Sequence, residues 1–257
     1  MSEKNILINN INVFAEETAA SKAVAMQIKQ AIEEKQSLGQ PIILGLATGN
    51  TPKLVYHELV NMHKNEGLSF ENVITFNLDE YYPMAPSHQL SYHNFMNMHL
   101  FSQVNILPEN IHIPHGQWKA EELIEKCEDY ERKIQELGGI DIQLLGIGRN
   151  GHIGFNEPGS TSDTRTRLID LHEITRNDAA ADFEGLHNVP YQAITMGIQT
   201  IMSAKKILLL ALGDRKSVII HKALTGEITA NVPASYLRIL PQIEFVLDAE
   251  AAVLINT

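Results

Sequence analysis

Apolar residues in this chain fall into short unbroken runs, separated by stretches in which they recur every three or four positions. The runs are Ile42-Ile43-Leu44-Gly45-Leu46, Val73-Ile74-Thr75-Phe76, Ile142-Gln143-Leu144-Leu145, Ile207 to Leu212 and Ile243 to Leu247. Segments this short, apolar at successive positions, predict strands buried on both faces. Helical spacing predicts helices over Pro52–Met62, Tyr92–Phe101 and Arg215–Leu224. A further helix carries Ala120, Leu123, Ile124, Cys127, Tyr130, Ile134 and Leu137 at helical steps. The residues between Phe76 and Tyr92 read as a polar loop, and Phe95 and Met96 as core. Alternation of strand and helix predicts an α/β fold: one domain over residues 1–257, its sheet mostly parallel and covered by helices on both faces. In such sheets a ligand lies beyond the carboxyl ends of the strands. The turns at those ends are therefore where chemistry is expected.

Composition narrows the partners. The 257 residues are 44% apolar and 20% charged, a globular mixture, with a formal net charge of −11. No basic stripe is present, which argues against nucleic acid as a partner. A small phosphate remains compatible, provided its site is made locally positive by backbone N–H groups, a helix N-terminus and a Lys or Arg. The single cysteine, Cys127, cannot form an intrachain disulfide and reads as packing on an amphipathic helix. No opening apolar run is long enough for a leader or a membrane span, and Glu3, Asn9, Asn10 and Asn12 interrupt it. A cytoplasmic chain with no membrane partner is expected. Homo-oligomerisation is left open.

Four turns after predicted strands carry candidate chemistry. In Leu46-Ala47-Thr48-Gly49-Asn50-Thr51-Pro52, Gly49 permits a tight turn and Pro52 suits the start of a helix. Thr48, Thr51 and free N–H groups could cradle an anion; an ordinary turn with a Thr cap fits equally. In Phe76-Asn77-Leu78-Asp79-Glu80-Tyr81-Tyr82, two adjacent carboxylates among aromatics could supply a general base, or a solvated acid or helix cap. The stretch Gly146 to Gly159 contains G-x-G-x-x-G at Gly146, Gly148 and Gly151. Gly154, Pro158 and Gly159 follow too closely for the helix that a dinucleotide requires, so no nicotinamide or flavin is expected. What remains is Asn150, His152 and Glu157, either an imidazole oriented for proton transfer or a structural histidine. Finally, Leu212-Gly213-Asp214-Arg215-Lys216-Ser217 offers Lys216 as a cation at a helix start. The eleven histidines show no metal-ligand spacing, and G-x-S-x-G is absent, so neither a metal nor a serine nucleophile is expected.

At these turns the sequence closely resembles the glucosamine-6-phosphate deaminase family, which shares its fold with 6-phosphogluconolactonases. The likeness runs from the Leu46–Pro52 turn to Val232-Pro233-Ala234-Ser235, with Phe76–Tyr82 and Gly151–Pro158 its most specific parts. It implies a Rossmann-like α/β domain and conversion of a sugar phosphate, glucosamine 6-phosphate, to fructose 6-phosphate and ammonia without cofactor or metal. By position it assigns Asp79 as the base between C2 and C1, and His152 as the ring-opening acid/base oriented by Glu157. Thr48, Gly49, Asn50, Thr51 and Lys216 would hold the phosphate. Asn150 stands where many members have aspartate. Ala181 stands where many have a phosphate-binding arginine, for which Arg165 or Arg176 are the substitutes at hand. The chain ends early relative to effector-regulated members, so effector control is not expected. Galactosamine 6-phosphate or another amino-sugar phosphate is the alternative substrate. Lactone hydrolysis, which needs no C2 base, and non-catalytic sensing of a sugar phosphate are the alternative functions.

Overall fold

The computed structural model describes residues 10–255, so the reading of an absent leader through residue 9 lies outside the described residues. In chain order the main elements are β1 (Ile11–Phe14), α1 (Glu17–Ser37), β2 (Ile42–Leu46), α2 (Lys53–Glu66), β3 (Val73–Asn77) and β4 (Asp79–Tyr82). There follow α3 (Tyr92–His99), β5 (Ile111–His112), α4 (Leu123–Glu136), β6 (Ile142–Leu145), β7 (Arg167–Asp170) and α5 (Glu173–Ala179). The last are β8 (Gln192–Thr195), α6 (Ile198–Met202), β9 (Lys206–Ala211), α7 (Ser217–Thr225) and β10 (Ile243–Asp248).

Seven strands form one parallel sheet in the order β1-β10-β9-β6-β2-β3-β5. Every residue of β2 and β6 is buried, as the apolar runs require of strands covered on both faces. Val24 and Ile28 of α1, Tyr56 and Leu59 of α2 and Met96 of α3 pack on one face. Tyr130 and Ile134 of α4, Ile198 of α6 and Ile220 of α7 pack on the other. Cys127 is buried beside Leu123 and Ile194, whereas Ile124, counted into the apolar step, faces solvent. No helix among the described residues is long and apolar enough to cross a membrane.

Two features depart from expectation. The segment read as a polar loop begins as β4, which pairs antiparallel with β8, itself paired antiparallel with β7. This second, three-stranded sheet carries few apolar residues in β4 and β7, so no apolar run announces it. The long helix α1 also goes unannounced, because half of its buried face is Ala20, Ser21 and Ala25.

The order of the large sheet fixes the place of the site. After β2 the chain moves outward to β3 and β5, and after β6 it moves the other way to β9 and β10. β2 and β6 are neighbours, so the turns leaving them diverge and open a crevice at the strands' carboxyl ends.

Candidate active site

The segment that leaves β6 is the spine of this crevice, and it touches the other three turns. On the β2 side, a methyl built on Gly146 would lie 3.9 Å from the Thr51 side chain. On the β9 side, Lys216 donates from Nζ to the Ile147 carbonyl at 2.7 Å. The imidazole of His152 lies across Gly148, where a Cβ would meet the ring at 2.3 Å, so only glycine fits beneath it. At Gly154 (φ +56) a Cβ would fall 3.3 Å from Oδ2 of Asp79 and 3.1 Å from the Thr195 hydroxyl. Gly148 and Gly154 thus serve close approach of side chains. No helix opens at Gly151, and the next one is α5.

Asp79 starts β4 and is 5% exposed. Burial pushes its carboxyl well above the usual range, the neighbouring Glu80 charge adds to this, and the Phe155 N–H opposes it. Around it stand Tyr56, Tyr81, Tyr92 and Tyr130, whose hydroxyls burial holds in the neutral form. Tyr92 is hydrogen-bonded through its hydroxyl to Thr48, tying the turn after β2 to this aromatic wall. Tyr81 and Phe155 pack nearby with their rings tilted, centroids 5.3 Å apart.

Nδ1 of His152 faces Oε2 of Glu157 at 3.4 Å and the Thr175 hydroxyl at 3.3 Å. Asn150 donates from Nδ2 to the same Glu157 oxygen at 2.7 Å. Burial raises the Glu157 carboxyl. The hydrogen bond and charge of His152, with hydrogen bonds from Thr175 and Asn150, outweigh that and hold it below the usual range. No side chain caps α2 at Pro52, and Gly49 (φ +93) makes the tight turn before it. The turn therefore presents its own N–H groups rather than a Thr cap. Among the described residues no cluster of three or more His, Cys, Asp or Glu is placed to hold a metal.

Residues 15–242 match the family model described as glucosamine-6-phosphate isomerases/6-phosphogluconolactonase. The chain belongs to this family. A glucosamine-6-phosphate deaminase of Thermoanaerobacter pseudethanolicus is 47% identical over 91% of the chain and 90% of its own length. Another, of Bacillus velezensis, is 45% identical over 90% and 94%. A solved structure described as a monomeric glucosamine-6-phosphate deaminase superposes with a TM-score of 0.91 at 41% identity, over 95% of this chain and 99% of that one. The 6-phosphogluconolactonase from Trypanosoma brucei, 22% identical with a TM-score of 0.76 over 96% and 98%, shares the fold.

In this member of the glucosamine-6-phosphate isomerase/6-phosphogluconolactonase family, the partners of the neighbouring side chains refine the reading of the turns. Asn150 acts on the Glu157 carboxylate and, through Oδ1, on the His152 backbone N–H at 3.2 Å, rather than on the imidazole. Arg176 is no substitute at Ala181. Its guanidinium donates to the carbonyls of Leu186, Val189 and Pro190 and lies over the Tyr191 ring. Arg165 is paired with Glu131 of α4. The adjacent carboxylates also divide: Glu80 caps α3, accepting from the backbone N–H groups of Tyr92 and His93, while Asp79 stays in the crevice.

Two residues of this family member's site escape spacing arguments. Thr175 reaches His152 from α5, a separate element. Arg149 is paired with Asp178, and both reach Lys216: burial lowers the Lys216 ammonium's pKa, the Asp178 charge opposes this and the Arg149 charge adds to it. A cation stripped of water is primed for an anion. Beside the crevice, a cavity of about 510 Å³ is lined by Pro83, His88, Gln117, Asp182, Phe183 and Pro190, and Phe183 packs edge-on against Tyr81.

Proposed function

We propose that the protein is a glucosamine-6-phosphate deaminase, converting glucosamine 6-phosphate and water to fructose 6-phosphate and ammonia. The observation that carries this reading is the contact of the β6 spine with all three other turns. It places a buried carboxylate of raised pKa, an imidazole held by a carboxylate, and a desolvated cation along one crevice.

The phosphate would rest on Lys216 and the N–H groups of Thr48, Gly49, Asn50 and Thr51, at the uncapped start of α2. Glu157 at Nδ1 of His152 favours the tautomer whose proton sits on that nitrogen, leaving Nε2 its lone pair. Nε2 can then take the C1 hydroxyl proton and return it to the ring oxygen, opening the sugar to an aldehyde. The aldehyde acidifies the C2–H. Asp79 abstracts that proton and delivers it to C1 while an amine proton passes to O1, giving an imine at C2, which water hydrolyses with release of ammonia. A base that removes a proton from carbon works best with an elevated pKa, which burial supplies here. A lactone hydrolase has no use for such a group.

The test is ammonia release from purified protein supplied with glucosamine 6-phosphate, with galactosamine 6-phosphate in parallel. Turnover of the first and little of the second is expected; preference for the second would transfer the assignment to the other epimer. We read residues 1–257 as one catalytic domain, supported by the continuous large sheet. We place the enzyme in the cytoplasm, on its single buried thiol and on a substrate whose charge keeps it from crossing membranes.

A further inference from the structure

Two acidic residues stand side by side at the start of β4, and each is nearly or fully buried: Asp79 is 5% exposed and Glu80 0%. Strand geometry sends their side chains to opposite faces. Asp79 faces Gly154 and the crevice. Glu80 points behind it and accepts four hydrogen bonds: from Tyr81 N at 2.9 Å, Tyr92 N at 3.0 Å, His93 N at 3.1 Å, and His93 Nδ1 at 3.0 Å. Ser91 takes the next N–H of α3, that of Asn94. The first turn of this helix is therefore bolted to β4 by one carboxylate.

We infer that Glu80 is a positioning residue for the reaction, holding Tyr92 against the phosphate turn and leaving Asp79 as the member of the pair that carries the moving proton. The inference rests on the deaminase reading above. Neighbouring buried carboxylates oppose each other's ionisation, and the Glu80 charge adds to the burial that raises the Asp79 carboxyl. Four hydrogen bonds reach Glu80, whereas Asp79 shares the N–H of Phe155 with the Thr195 hydroxyl, to which that N–H donates at 3.0 Å. The same four bonds fix the approach of α3, and with it the Tyr92 ring whose hydroxyl meets Thr48. Base and anion cradle are thereby set in register by a group that touches neither reactant.

The groups facing Glu80 are Asp79 and Tyr81 from β4, Tyr92 and His93 from α3, and His115, whose ring lies 5.6 Å from that of His93. Those facing Asp79 are Glu80 and the hydroxyls of Tyr56, Tyr81, Tyr92 and Tyr130. Glu80 is the only other carboxylate among these. Removing its charge lowers the pH at which Asp79 becomes a base.

The experiment is the pH dependence of kcat/KM for ammonia release by wild type, Glu80→Gln and Glu80→Asp, with melting temperatures for each. The acid limb of Glu80→Gln is expected about one pH unit below that of wild type, and its kcat several-fold lower. Glu80→Asp keeps the charge but falls a methylene short of α3. Its limb stays in place while kcat drops, and this holds as the test even where Glu80→Gln fails to fold. An active wild type with an unmoved limb in Glu80→Gln, or wild-type kcat in Glu80→Asp, overturns the inference. So does a fall in melting temperature with kinetics untouched, which would make Glu80 structural only. A wild type that releases no ammonia removes the deaminase reading itself and the inference with it.

Discussion

At the scale of single residues, the site is a set of groups kept in states that water would not allow. Asp79 has its folded pKa raised by burial, so the folded chain binds a proton more tightly than the unfolded one between the ordinary carboxylate range and that raised value. Stability falls as pH climbs through this window. Asp79→Asn should therefore lose about 1,000-fold in kcat with KM little changed, yet melt about 2–4 °C higher at neutral pH. Calorimetry beside steady-state assays checks both, and a lower melting temperature would count against the burial argument. Gly154→Ala puts a methyl against Asp79 and Thr195 at a left-handed backbone position, and is expected to lower both kcat and melting temperature. Cys127 offers a contrast. Burial pushes its thiol up to about 11, so a thiol reagent at pH 8 should react only after denaturant is added.

At the scale of elements, what could be read from the chain followed the apolar content of each segment. β2, β3, β6, β9 and β10 show themselves because every turn of the sheet demands Ile, Leu, Val or Phe there. β4 does not: Asp-Glu-Tyr-Tyr looks like a loop, and only the antiparallel partner β8, whose Thr195 sits opposite Asp79, makes it a strand. The same blind spot hid the division of labour between Asp79 and Glu80, which depends on the alternation of a strand. The triad of Asn150, His152 and Glu157 was visible from local spacing, whereas Thr175 and Arg149 meet the site only through tertiary packing. α1 supplies none of the site side chains named above and packs on α2 and the sheet. Ile28→Ala there should cost about 2–4 kcal/mol of stability through the cavity it leaves, lowering the denaturation midpoint while kcat stays within about twofold.

At the scale of the whole molecule, the two ends of the large sheet respond to acid in the same direction. Glu157 at the carboxyl ends is held low as described. At the opposite ends, burial raises Asp141, and Lys205, the Ile43 N–H and Lys35 overcome this to hold it low as well. Groups with depressed folded pKa values give stability that is present above their unfolded values and lost as pH falls through the folded ones. The melting temperature should thus drop steeply below about pH 4, and Glu157→Gln should flatten that drop. If the two profiles coincide, the network around His152 contributes no such stability. The divergence of the turns leaving β2 and β6 has a temporal corollary. The groups that handle the sugar come from positions near 50, 79, 152 and 216, and they meet only once the central strand is flanked on both sides. During refolding from urea, recovery of ammonia release should lag behind the return of helical circular dichroism, making catalysis the last property the chain regains.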